Sequence, residues 1–248
     1  MSTLFGSTRS RIQPRHALIA PDSHVRATLP GWVNTQGITL ISPAMGAHFT
    51  QYYALMEAGG ASAPPAHEVE RFAYVLEGNL TCRLAGQELA LRPGSYVYCP
   101  AGTTHTITAH ATSRLVIFER FYAPLEGHAA PGPLSGHVSE ISGAPFMGDT
   151  DAVLRQLLPD TSAFDMAINL FTFNPGAALP FAEVHVMEHG LLMIEGQGIY
   201  RLDESWYPVQ AGDAIWMGPY CPQWFGALGK APSAYLYYKD VNRDPLEQ

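Results

Sequence analysis

Apolar positions along this chain come in short runs, each closed by glycine, proline or a polar turn. Tyr74-Val75-Leu76-Glu77-Gly78, Gly94-Ser95-Tyr96-Val97-Tyr98, Leu192-Met193-Ile194-Glu195-Gly196 and Tyr235-Leu236-Tyr237-Tyr238 are examples. Their enrichment in β-branched and aromatic residues predicts many short strands. Phe164, Met166, Ile168 and Leu170 fall on alternate positions, which gives that segment one apolar core face. Stretches with the 3.6-residue period of a helix are nearly absent. Residues 151–158 are the best helical candidate and are predicted as a short connector. The predicted class is all-β.

An internal repeat organises these runs. An offset of 118 residues, as from Tyr74 to Leu192, lays the first half of the chain on the second. It sets Leu84 on Leu202, Gly94 on Gly212, His67 on His185 and His105 on Gln223 without a gap. Repeats define architecture before any single motif does. The glycine- and proline-rich stretch from Tyr122 to Thr150 is the natural linker. We therefore expect two units, residues 1–145 with an amino-terminal extension and residues 146–248.

Composition narrows the function classes. Of 248 residues, 47% are hydrophobic and 15% charged, enough to bury a substantial core. The net charge of −8, with no basic run, argues against a nucleic-acid partner. Cys82, Cys99 and Cys221 are odd in number and widely spaced, which fits reduced thiols. The first twenty residues carry arginines but no continuous apolar segment, and no stretch approaches a membrane span. A cytoplasmic protein without membrane contact is expected, and its weakly charged composition favours a homo-oligomer.

Candidate chemistry concentrates in Glu183-Val184-His185-Val186-Met187-Glu188-His189, followed by Gln223. Two imidazoles, one carboxylate and one amide oxygen suit a hard divalent cation with open positions, Mn(II) ahead of Fe(II). Glu183, His185 and His189 share strand parity, but six extended residues span about 20 Å. A bend must therefore lie between His185 and His189. His185-x-x-Glu188-His189 also matches a zinc-peptidase pattern that requires a helix. The adjoining Gly190, the valines and the repeat register argue for strands instead. In the first half the equivalent positions are Pro65, His67, Arg71 and His105, and a guanidinium among the ligands predicts a metal-free unit.

Gly94-x5-Pro100-x-Gly102-x2-His105 reproduces the second consensus motif of the cupin family, and the second half carries a diverged copy. The chain thus resembles a bicupin, which implies two tandem antiparallel double-sheet barrels with the ligand site at a barrel mouth. Within the cupins it is most similar to the (S)-ureidoglycine aminohydrolases. That likeness rests on Glu183-Val184-His185, His189-Gly190-Leu191, Glu195-Gly196-Gln197-Gly198-Ile199-Tyr200 and the closing segment from Tyr235 to Arg243. It implies a manganese hydrolase of purine catabolism that releases ammonia from ureidoglycine to give ureidoglycolate. It also implies that Glu183, His185, His189 and Gln223 are the ligands and that Tyr235 and Lys239 contact the substrate. Glu183 and Lys239 are the expected catalytic residues, with Glu183 and Gln223 also close to the substrate. A cupin dioxygenase or sugar isomerase, or a non-catalytic small-ligand carrier, are the competing expectations, because one fold hosts many chemistries.

Overall fold

The structure is a computed structural model that describes residues 7–244 and 246. Among them are twenty-one strands, three short 3-10 turns and no α-helix. Among the described residues no helix is long and apolar enough to cross a membrane. The all-β class follows from the alternating patterns, since each strand can bury one face only by rolling against another.

The first half forms one ten-stranded antiparallel sheet curled on itself. Its spine is Thr50–Ala61, Ser113–Phe121, Val69–Glu77 and Ser95–Cys99, paired in that order. The second half divides into two facing sheets. One is the three-stranded sheet of Ser205–Gln210, Gln197–Leu202 and Gln223–Leu228. Opposite lies an eight-stranded sheet that contains Ala214–Met217, His189–Glu195, Ser233–Asp240 and Met166–Phe173 as adjacent strands. Each half thus encloses an apolar core. Leu80, Cys82, Val97, Ile107 and Ile117 fill the first, while Phe171, Phe173, Leu202, Phe225 and Tyr235 fill the second.

A third apolar core lies between the two halves, which makes them one body. Phe72, Phe118, Ile168, Trp216 and Tyr238 meet there, with Phe49 stacked on Tyr238 at 4.1 Å between ring centroids. Burying such side chains contributes about 1.5–3 kcal/mol each. Gly190 is required at this seam, because a Cβ there would stand 2.3 Å from the Phe49 ring. Gly78 and Gly196, equivalent in the repeat, each take a positive φ at a turn between two successive strands that do not pair with each other.

Two features depart from the sequence reading. Residues 151–158, the helical candidate, lie mostly in the strand Asp149–Gln156, which pairs with Met166–Phe173 from Ala152 opposite Phe173 to Gln156 opposite Asn169. Ladder hydrogen bonds to a neighbouring strand outweigh the weak local helical pattern. The amino-terminal extension, counted with the first unit in sequence, crosses to the second. His16–Ile19 pairs with Ala214–Met217, and the paired guanidinium of Arg9 grips the buried carboxylate of Asp213 at 2.6 and 2.9 Å. Along the linker, Leu134–His137 still pairs in the first sheet whereas Ala144–Phe146 pairs in the second. The three cysteines are free and buried.

Candidate active site

The wall of the site is built by the strand His189–Glu195 and its neighbours. His189 lies opposite Lys239 on one side and Met217 on the other. Because side chains alternate along a strand, Tyr235, Tyr237 and Lys239 share the inner face. Leu236 and Tyr238 point the other way, into the core between the halves.

Residues 174–188 cross the mouth of this barrel without regular strand pairing. Glu183 and Gln223 are joined as an isolated bridge, with Glu183 N–H donating to the Gln223 carbonyl at 2.8 Å and the reverse bond at 3.0 Å. The chain then bends at Val186, the turn that the parity argument requires. The His185 and His189 rings consequently stack, with centroids 4.9 Å apart and planes 21° from parallel. His189 stacks in turn on Tyr237 at 5.5 Å. Glu183, His185, His189, Gln223, Tyr235 and Lys239 all line one cavity of about 220 Å³. A larger groove of about 590 Å³ between the halves holds none of them, and its Arg114 is paired with Glu77.

The hydrogen bonds fix which lone pairs face inward. His185 Nδ1–H donates to the Met187 carbonyl at 3.1 Å, so its Nε2 carries the lone pair. The Gln223 amide nitrogen donates to that Nε2 at 3.1 Å. Burial lowers the basicity of both histidines, most strongly for His189, and the charge of Lys239 adds to the effect. Burial raises the Glu183 carboxyl above its ordinary value, and the nearby Lys239 ammonium partly offsets this. Both shifts favour the neutral imidazole, the form that a cation ligand takes.

These residues fit a divalent cation by their donor chemistry. His189 Nε2 is buried with no hydrogen-bond partner, a state that is costly for a lone pair unless something meets it. Rotating the Gln223 amide by half a turn would bring its oxygen to the place now held by its nitrogen. Among the described residues, no three His, Cys, Asp or Glu side chains already stand at joint ligand spacing. Glu183, His185 and His189 are thus not drawn to ligand spacing in this arrangement, and the support for a cation is the orphaned His189 Nε2 and the shared cavity.

The peptidase pattern dissolves in the structure. Glu188 turns away from the cavity, and its carboxylate accepts from His48 N–H and Trp216 Nε1–H. In the first half, Arg71 is buried at the position equivalent to His189. Its guanidinium donates to Glu119 at 2.6 Å, to the Ala63 carbonyl at 2.9 Å and to His105 Nε2 at 3.0 Å. It also lies over the Trp32 ring, 5.2 Å from the centroid. A fixed positive charge fills that barrel mouth.

Comparison with known proteins bears on both halves. The family described as Cupin domain matches residues 52–119 and 169–238. A rice protein named probable (S)-ureidoglycine aminohydrolase is 48% identical over 249 aligned residues, 99% of this chain and 79% of that one. The chain belongs to the (S)-ureidoglycine aminohydrolase family of cupins. An Escherichia coli member bearing the same name, without the qualifier, is 38% identical over 92% of this chain and 89% of its own. A solved structure from Pseudomonas aeruginosa, described as a putative glyoxylate induced protein, superposes with a TM-score of 0.88 at 30% identity. It covers 98% of this chain and 94% of its own.

For this family member, the structure adds cavity residues that sequence reasoning passed over. Tyr200, Tyr237 and Asn169 also line the cavity. Asn169 offered a signal, as the one amide within the otherwise apolar run Met166-Ala167-Ile168-Asn169-Leu170-Phe171. The tyrosines offered none, because buried aromatic residues in strands are most often packing. Cys221 lies in the core of the second barrel, and Trp224 Nε1–H donates to the Leu179 carbonyl, in keeping with packing roles.

Proposed function

We propose that this chain hydrolyses (S)-ureidoglycine to (S)-ureidoglycolate and ammonia at the mouth of its second barrel. The observation that carries the reading is the convergence of Glu183, His185, His189, Gln223, Tyr235 and Lys239 on one cavity of about 220 Å³. Near-full-length identity to proteins named for this reaction supports it.

Glu183, His185, His189 and Gln223 would hold the cation, with Mn(II) the first choice and Fe(II) the second, given the oxygen-containing donor set. When bound, such an ion supplies Lewis acidity and makes water more acidic. The remaining work falls to the protein. Ureidoglycine carries a carboxylate, an amine and a ureido group on one carbon, and the Lys239 ammonium pairs with the carboxylate. In the net reaction water gives a hydroxyl to that carbon, the bond to the amine nitrogen breaks, and one proton passes from water to the departing amine. Glu183 is the candidate to carry that proton, by exchanging between holding the cation and handling the proton. The Tyr235 hydroxyl, buried against Tyr200, closes the inner end of the cavity and helps to exclude bulk water.

The first unit, up to a boundary near residue 145, acts in this reading as a metal-free structural partner, which the Arg71 contacts support. The chain is taken as a cytoplasmic homo-oligomer, consistent with three free cysteines and a weakly charged composition. Metal analysis of the purified protein, combined with ammonia release from freshly prepared ureidoglycine, tests the proposal. Bound metal with ammonia release above the spontaneous rate is expected. Protein free of metal that leaves the spontaneous rate unchanged would overturn it.

A further inference from the structure

The ligand set and the Lys239 contact account for the carboxylate and the amine of the substrate but leave its ureido group unmet. The strand Met166–Phe173 supplies a candidate. Ala167, Asn169 and Phe171 face the cavity, while Met166 and Ile168 pack into the core between the halves. Asn169 is the polar member of that inner face and is only 5% exposed. Strand interiors disfavour asparagine, and a buried amide is costly unless its donors and acceptor are met.

Asn169 sits in a polar row that crosses three adjacent strands, with Gln156 on one side and Tyr237 on the other. Tyr237 is its cross-strand neighbour on this face. An amide has two N–H donors and a carbonyl acceptor, which gives it capacity for a ligand. The next row contains Ala167, Lys239 and His189. Asn169 and Lys239 are thus diagonal neighbours on one sheet face, a relationship that separates residues by roughly 7 Å. A molecule with a carboxylate and a ureido group on one carbon can reach both.

We propose that Asn169 is a specificity-determining residue whose side-chain amide pairs with the ureido group of the substrate. A planar ureido group presents a carbonyl acceptor beside N–H donors, the complement of the asparagine side chain. Tyr237 flanks the amide on the neighbouring strand. The inference rests on the reaction proposed above, because it assumes that a ureido compound occupies this cavity.

The stable product gives a readout that does not depend on turnover. In the metal-loaded wild type, ureidoglycolate should bind at least about tenfold more tightly than glycolate, which lacks the ureido group, since a site built to bond a polar group discriminates strongly for it. Asn169→Leu keeps the shape and removes the amide. In calorimetric titrations it should reduce that preference to within about threefold while glycolate affinity and metal content stay at wild-type levels. If Asn169→Leu folds poorly, Asn169→Ala reads the same difference. A variant that retains the full preference for ureidoglycolate overturns the role of Asn169 while the proposed reaction stands. A wild type that neither prefers ureidoglycolate nor releases ammonia from ureidoglycine overturns the reaction, and the inference with it.

Discussion

The Gln223 side chain meets His185 Nε2 at 3.1 Å, while its backbone exchanges hydrogen bonds with that of Glu183. One residue therefore joins both sides of the barrel mouth, and its amide and its strand position can be separated by substitution. Gln223→Leu keeps the volume and the backbone bridge. Metal affinity should fall at least about tenfold, by analogy with the loss of groups that orient metal ligands, with little change in melting temperature. Metal stoichiometry measured after dialysis checks this, and an unchanged metal content at wild-type activity would remove Gln223 from the ligand set.

Lys239 faces His189 across the strand pair and lowers the basicity of both histidines. If its ammonium holds the substrate carboxylate, Lys239→Met should raise KM by roughly 10- to 100-fold, the usual worth of a hydrogen bond to a charged group. Lys239→Arg should restore part of the loss. Steady-state kinetics on the three proteins decides, and an equal KM in all of them would assign Lys239 to a bystander role.

How far the site could be read from sequence depends on the range of the interactions that build it. The repeat fixed the pairing of Gln223 with the His185 region, because two copies of one spacing carry more information than either alone. The bend at Val186 followed from strand geometry and ligand distance. The crossing of His16–Ile19 to Ala214–Met217 left no such trace, since a pairing across nearly the whole chain has no local periodicity. Residues 151–158 carry a weak strand signal because a strand near a sheet edge buries little. Along Asp149–Gln156 only Ala152 is buried, so the alternation that marks a strand is weak there. Asn169 was obscured by the apolar alternation of Phe164, Met166 and Ile168, which correctly marks a core face but hides the opposite face of the same strand.

In the proposed reading Arg71 stands where the second barrel would hold an ion, and its loss tests that division of labour. Arg71→Met leaves the Glu119 carboxylate and the buried His105 without their partner. Breaking a buried ion pair costs about 3–5 kcal/mol, and the partial exposure of Glu119 places this case at the lower end. Denaturant unfolding should show that loss, while metal content per folded chain stays at the wild-type level. A second metal ion bound by the wild type, and lost in this variant, would contradict the metal-free reading of the first unit.

Glu70 and Asp165 meet at the seam between the halves, where each has a buried oxygen without an ordinary hydrogen-bond donor. Burial, reinforced by the charge of Asp165, pushes the Glu70 carboxyl up to about 9. Tyr98 donates to Glu70, and Arg120 pairs with Asp165 at 3.5 Å. A folded-state pKa above the unfolded value means that the folded state holds the extra proton. The stabilisation is complete below the ordinary carboxylate range and is lost as pH rises through the folded value. The melting temperature should therefore fall from about pH 6 to about pH 9. Glu70→Gln should flatten that slope in part, because Glu188 and Asp240, also raised by burial, remain. A slope identical to wild type would place the proton elsewhere.

The handedness of the product tests the central claim most directly, because ureidoglycine also decays without help. With the metal-loaded protein, ammonia release should exceed the spontaneous rate and the ureidoglycolate formed should be the S enantiomer. Racemic product formed at the spontaneous rate would contradict the account.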